Sequence, residues 1–176
     1  MLASLRPAVL VSLIFFVLLG LAYPLAETGI AQGIFSGAAN GSLTANGSTL
    51  VGQTWKGPRW FQGRPDSDDP MATGGSNLGP RSKVLIQNTR KVMAALQREG
   101  ITPTNDLVTT SGSGVDPDIT PADAYAQVSA VAKARGLSAA TVRRLVAAQA
   151  QGPELGFLGS SYVNVLQLNE ALARLR

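Results

Sequence analysis

Carboxylates, lysines and serines are the side chains available for chemistry in this 176-residue chain, because it contains neither Cys nor His. Without Cys there is no thiol nucleophile, no disulfide, no Cys-ligated zinc and no iron–sulfur cluster. Without His there is no Ser-His-Asp triad, no HExxH zinc site and no imidazole base at neutral pH. Carboxylate or Lys catalysis survives, or no catalysis.

The carboxylates fall in two groups. Asp66, Asp68 and Asp69 sit in the stretch Arg64 to Pro80, RPDSDDPMATGGSNLGP. A calcium loop of the EF-hand kind needs D-x-D-x-D-G spacing and a Glu at its twelfth position, and neither is present. A solvated acidic turn is the expected form. Gly74-Gly75-Ser76-Asn77 follows, and a stretch this long without secondary structure reads as a binding surface. The second group, Asp116, Asp118 and Asp123, precedes or opens a helix: Thr120 can N-cap, Pro121 suits the first turn and Asp123 favours the positive helix end. Capping is therefore its expected role. Between the groups, Ser111-Gly112-Ser113-Gly114 places a serine between glycines. A nucleophile elbow would need Gly at position 111 and a base, and no Ser-x-x-Lys occurs at this loop. Gly52 and Gly57 have phosphate-loop spacing, but Pro58 stands where that loop requires Lys, so a turn joining two strands is expected there. Together Trp60, Arg64, Asp66, Asp68, Asp69, Gly74, Gly75, Ser76, Asn77, Ser111, Ser113 and Asp116 form the candidate interaction surface. No catalytic or metal-binding residue is assigned, and no cofactor motif is found.

Positioning these loops requires a folded framework. Asn40-Gly41 and Asn46-Gly47 are hairpin dipeptides around Ser42-Leu43-Thr44, with Thr49-Leu50-Val51 as a further strand. Phe61 is expected in the core; Trp60 reads either as core or as an interface anchor. Apolar spacing at Leu85, Val92 and Leu96, with Ile86 and Met93 beside them, predicts a helix over 82–97 that stops at Gly100. Asp106 to Thr110 reads as a strand. Helices follow from Thr120 to Arg135, closed by Gly136, and from Ser138 to Gln149. A last helix opens on Asn164 with Gln167 at its third position and turns Leu168, Leu172 and Leu175 inward. The expected fold class is α+β.

Twenty consecutive uncharged residues run from Pro7 to Ala26, about 30 Å as a helix and enough to cross a bilayer's hydrocarbon core. Tyr23-Pro24 is the expected end, with Tyr23 at the interface. Length favours a retained anchor over a cleaved signal peptide. Arg6 and the terminal amine are the positive charges before Lys56, so the positive-inside rule predicts 1–6 cytoplasmic, 7–26 transmembrane and 27–176 a single extracytoplasmic domain. Fifteen Lys/Arg against eleven Asp/Glu leave a net charge of +4. The basic residues are scattered, with no polybasic stripe among aromatics, so nucleic acid is not an expected partner.

The order of segments resembles the C subunit of the Kdp-type potassium-transporting P-type ATPase of bacteria. The resemblance runs through Leu5-Arg6-Pro7-Ala8, Tyr23-Pro24, Ala39 to Leu43, Gly47-Ser48 and Val51-Gly52-Gln53. It continues through Phe61 to Pro65, Gly74 to Pro80, Asp106 to Thr109, Ser111 to Gly114, Asp116-Pro117 and Pro121. Val131 to Arg135 and Val163 to Asn169 complete it. The chain departs from the family pattern at Asp118, where His is frequent, and at Ser160-Ser161-Tyr162, where a Glu-Pro-Arg-like stretch is frequent.

The resemblance implies a non-catalytic accessory subunit of a complex that hydrolyses ATP to import potassium. It implies as partners a channel-like A subunit, a P-type ATPase B subunit, a small F subunit and the lipid bilayer of the bacterial inner membrane. It further implies a role in assembly and stability, and a chaperone role that raises the ATP affinity of the catalytic subunit, with ATP bound by the chain itself. The residues themselves offer no phosphate loop for that nucleotide. Two other functions fit the residues alone: a membrane-anchored Ser hydrolase using Ser113, and a free-standing ligand-binding module.

Overall fold

The structure, a computed structural model, describes residues 2–66, 69 and 71–175. The chain divides into two units, Met1–Leu43 and Thr44–Arg176.

The first unit is helical. α1 (Leu2–Val17), a π-helical turn (Leu18–Ala22) and α2 (Tyr23–Ile34) follow without a break, and a single turn, α3 (Ser36–Ala39), ends the unit's helices. The helix does not stop at Tyr23-Pro24. Proline lacks an N–H and its ring collides with the carbonyl four residues back. The π turn removes the conflict: Tyr23 N–H reaches back five residues to Leu18 O, and Pro24 falls in the first turn of α2, where no N–H is needed. The 30 residues Leu5–Ile34 are long and apolar enough to cross a membrane, and none of that stretch's most apolar window is buried within the protein. Every backbone group inside such a helix is satisfied by the helix itself, as a hydrocarbon solvent requires.

The second unit mixes helices with very short strands. β1 (Leu43–Thr44) and β2 (Gly47–Ser48) pair across Ala45-Asn46; Thr49-Leu50-Val51, expected as a strand, is irregular, as is the segment from Gly52 to Gly57. Then come α4 (Lys83–Arg98), one turn of helix α5 (Asn105–Val108), β3 (Asp118–Ile119), α6 (Pro121–Arg135), α7 (Ala139–Gln149), β4 (Val163–Asn164) and α8 (Val165–Ala173). β3 and β4 are antiparallel, with Asp118 opposite Asn164 and Ile119 opposite Val163. The fold is mixed α and β, with helix dominant.

Local capping starts the helices. Ser82, Thr104, Thr120, Ser138 and Asn164 each accept the N–H three residues on. α6 has the full capping box, Asp123 returning the bond to Thr120 N–H, and Gly136 closes it at φ 69°. The stretch expected as a strand at 106–110 is the turn α5: Thr104 caps it, Thr109 Oγ donates to Asn105 O at 2.8 Å, and Leu107 is its buried residue. The local side-chain bonds outweigh the β-preference of Val108-Thr109-Thr110.

The core joins Phe61, Leu96, Ile101, Leu107, Ile119, Val128, Val131, Val142, Val146, Val163, Leu168 and Leu172. α4 contributes little to it. Only Leu96 is buried there; Leu85 and Val92 are half-buried and Ile86 and Met93 exposed. A cavity of about 570 Å³ lies along the helix instead, lined by Leu85, Val92, Ala95, Leu78, Val108 and the polar Asp66 and Lys91, among others.

Candidate functional site

The segment from Trp60 to Asp66 belongs to no strand, yet its backbone is held as firmly as one. Phe61 N–H donates to Asn169 Oδ1 and Asn169 Nδ2 donates to Phe61 O, both at 2.9 Å. Gln62 is held the same way by Gln127, its N–H donating to Oε1 at 2.8 Å and its carbonyl accepting from Nε2 at 2.9 Å. Both amides are fully buried, one on α8 and one on α6. Each replaces a strand partner with one side chain, and the exchange satisfies four backbone groups that burial would otherwise leave costly. Gln62 Nε2 also donates to Glu99.

Beyond this clamp the chain delivers Arg64 and Asp66. Arg64 pairs with Asp106 at 3.4 Å and donates to Thr109 Oγ1 and Thr110 O at 3.4 and 3.3 Å, while its Nε is buried with no partner among the described residues. Asp66 is not the solvated carboxylate expected. It is half-buried, and its two oxygens accept Ser111 N–H at 2.7 Å, Ser111 Oγ–H at 2.6 Å and Asp116 N–H at 3.0 Å. The isolated carboxylate needs donors and the loop backbone supplies them.

With the Ser111 proton committed to Asp66, Ser111 Oγ is an acceptor toward its neighbours: Gly114 N–H at 2.9 Å and Ser113 Oγ at 3.2 Å. Ser113 Oγ accepts Val115 N–H at 3.3 Å. Its partners among the described residues include no Lys and no carboxylate, which disfavours a nucleophilic role. The second glycine-rich loop joins the same cluster, Gly74 N–H donating to Ser113 O at 2.6 Å and Gly75 lying against Gly112. Gly114, at φ 72°, faces Gly74 O so closely that no Cβ could fit. Gly52 closes the other side: its N–H donates to Val115 O at 2.7 Å, and a Cβ there would stand 2.6 Å from Asp116 O.

Of the expected surface, Arg64, Asp66, Gly74, Gly75, Ser111, Ser113 and Asp116 come together. Ser76 joins Asp66 in lining the α4 cavity. Asn77 and Asp69 are exposed; the Asp69 carboxylate accepts Met71 N–H at 2.9 Å. Asp68 lies outside the described residues. Trp60 is elsewhere, half-buried with its ring centroid 5.0 Å from that of Trp55 and the Arg135 guanidinium 4.3 Å above it. Burial, with Arg59 as a like charge, lowers the Arg135 pKa from its ordinary value. Among the described residues no group of three or more Asp or Glu is placed to hold a metal ion. The assembled cluster shapes two loops rigidly and exposes Ser113, Thr110 and Asn77.

Sequence reasoning missed Gln127 and Asn169. Their signal was present: each is a polar residue on an otherwise apolar helical face, beside Val128 and Leu168.

The family model described as "KdpC: K+-transporting ATPase, c chain" matches residues 5–174. The chain belongs to the KdpC family. It is 49% identical to the Potassium-transporting ATPase KdpC subunit of Caulobacter vibrioides (strain NA1000 / CB15N), over 98% of this chain and 93% of that protein. The protein of the same name from Sorangium cellulosum (strain So ce56) is 49% identical over 98% of both chains. That of Gloeobacter violaceus is 47% identical over 96% of this chain and 95% of its own. Of the residues expected to depart from the KdpC family pattern (Asp118 and Ser160-Ser161-Tyr162), Asp118 and Tyr162 line one cavity together with Asn164. Asp118 Oδ1 accepts Asn164 Nδ2 at 2.9 Å. Burial, aided by the Asp116 charge and opposed by the Asn164 bond, raises the Asp118 carboxyl above its ordinary value.

Proposed function

We propose that this chain is a membrane-anchored, non-catalytic accessory subunit of an ATP-driven potassium-transporting complex. The observation that carries the reading is the match of residues 5–174 to the KdpC family, whose relatives bear the name Potassium-transporting ATPase KdpC subunit. A 30-residue helix long and apolar enough for a membrane supports anchoring. On this reading residues 1–6 lie in the cytoplasm, 7–26 cross the bacterial inner membrane and 27–176 stand outside, because Arg6 marks the cytoplasmic end.

The partners are the channel-like A subunit, the ATPase B subunit and the small F subunit, and the task is assembly and stability of the whole. Raising the ATP affinity of the catalytic subunit is the finer part of that task. The surface offered to the partners is built by the loops held by Asp66, with Arg64, Ser111, Ser113, Asp116, Gly74 and Gly75 as its frame and Ser76, Asn77 and Asp69 around it; Asp68, outside the described residues, is assigned to it from the sequence alone. Trp60, which lies elsewhere against Trp55 and Arg135, would be a separate contact. A frame whose hydroxyls and carboxylate are spent on one another suits recognition by shape better than turnover.

The test is affinity purification of a C-terminally tagged chain from detergent-solubilised membranes of potassium-starved cells, with co-purifying chains identified by mass. A polytopic channel-like chain and a P-type ATPase in fixed ratio are expected. Recovery of the tagged chain alone, folded and stable, overturns the reading in favour of a free-standing ligand-binding module.

A further inference from the structure

Asp118 differs from Asp66, Asp123 and Asp106 in how it is compensated. Asp66 has three donors, Asp123 has the Thr120 N–H and Oγ–H, and Asp106 has the Arg64 guanidinium. Asp118 is half-buried, and among the described residues the donor found at its carboxylate is Asn164 Nδ2, on Oδ1. That amide is itself shared, since it also donates to Thr49 O at 2.9 Å and accepts Gln167 N–H through Oδ1. The nearest influential charge is Asp116, of like sign, whose Oδ1 takes the Asp118 N–H at 3.0 Å. Partly buried carboxylates are ordinarily paired or multiply hydrogen-bonded.

This carboxylate, hydrogen-bonded by one amide and paired with no cation among the described residues, lines a cavity of about 550 Å³. Among the described residues its lining contains no Lys or Arg; its other polar side chains are the neutral Thr49, Gln151, Tyr162, Asn164 and Gln167. An anion is repelled from such a site, and a neutral ligand leaves the charge as it was. A multivalent metal ion wants more hard oxygen ligands than one carboxylate with scattered amides supplies. A guanidinium or ammonium group brings opposite charge and several N–H donors at once, and the amide and hydroxyl oxygens can take those the carboxylate does not.

We propose that the Asp118 cavity seats the cationic group of an arginine or lysine side chain presented by a partner polypeptide, paired to the carboxylate and hydrogen-bonded by Gln151, Tyr162 and Gln167. The source of that side chain rests on the accessory-subunit reading; the chemistry of the seat does not. The raised Asp118 pKa agrees with it, because a cation in the cavity returns the carboxyl toward its ordinary value.

Two measurements test the seat and its source separately. In the full chain in detergent micelles, the carboxyl carbon of Asp118 is followed by NMR during titration with N-acetylarginine amide, n-butylammonium, tetramethylammonium or potassium chloride at constant ionic strength. A saturable shift with the first two probes, lacking with the last two, is expected. The Asn164 side-chain amide moves with it in the native chain and stays still in Asp118→Asn. No shift, or an equal shift with potassium or tetramethylammonium, overturns the seat. For the source, tagged native, Asp118→Asn and Asp118→Arg chains are purified from membranes. Partner recovery is expected to fall at least about tenfold in Asp118→Arg, with its unfolding temperature matching that of Asp118→Asn. Unchanged recovery overturns the partner assignment. If the native chain recovers no partner, the accessory-subunit reading fails, and the titration still decides the chemistry of the cavity.

Discussion

Helix α6 and the segment Trp60 to Asp66 lie in the same core and are held by opposite means. α6 is started by Thr120 and Asp123, three positions apart, and stopped by Gly136 immediately after it. The irregular segment is held by Gln127, Asn169 and Ser111, which are 65, 108 and 45 positions from the residues they bind. The first can begin to form before the rest of the chain is in place. The second exists only when α6, α8 and the 111–116 loop have already converged. The difference locates fragility: removing a local bond costs one helix end, whereas removing a distant one strands backbone groups in the interior.

Four substitutions sharpen that contrast. Asn169→Leu is expected to be the most damaging, because it leaves both Phe61 N–H and C=O buried without a partner. About 3–5 kcal/mol of stability should be lost from the two groups together, read by chemical unfolding of the full chain in detergent with the near-ultraviolet signal of Trp55 and Trp60. A cost under about 1 kcal/mol would show that the clamp is not what holds the segment. Asp66→Ala comes next. It releases three donors at the loop, with an expected loss of about 2–3 kcal/mol and faster amide exchange at Ser111 and Asp116 than at α6. Thr120→Ala removes only a cap and should cost about 1 kcal/mol, with exchange rising in the first turn of α6 alone.

The smallest effect concerns Asp118. Its folded-state pKa is raised, chiefly by burial, so the native state holds more protons than the unfolded state above the unfolded pKa. The stability it contributes is fully present below about pH 4 and declines as pH rises through the folded pKa. Asp118→Asn should therefore flatten the stability profile from about pH 4 upward and leave neutral stability equal or slightly higher. A steeper decline in the variant, measured by thermal unfolding across that range, would reverse the sign assigned to this carboxylate.

Much of the helical framework was readable from residues alone. The apolar spacing of Leu85, Val92 and Leu96 and the caps Thr120, Ser138 and Asn164 announced four helices, and Gly100 and Gly136 two of their stops, because each acts within a few positions. The expected strands at 49–51 and 106–110 were misread because β-propensity reports a suitable partner surface, and none is there. The helix through Pro24 was misread because proline's conflict was absorbed by a π turn five residues wide. The two glycine-rich loops were singled out as segments. Their meeting, and the conversion of Asp66 from a solvated group to the support of Ser111 and Asp116, were invisible.

What the sequence determined by itself is the chemistry that this protein lacks, the apolar helix at its start, the helix ends and the family to which its ordered motifs point. These depend on residue type and on spacing over a turn or two. Only the tertiary structure decided that Asn169 and Gln127 grip Phe61 and Gln62, that Asp66 carries the 111–116 loop, and that Asp118 lines an open cavity with Asn164 as its donor. A side-chain amide or carboxylate has no preferred partner until burial removes water as the alternative, and which backbone groups are then within reach is set by how distant segments pack.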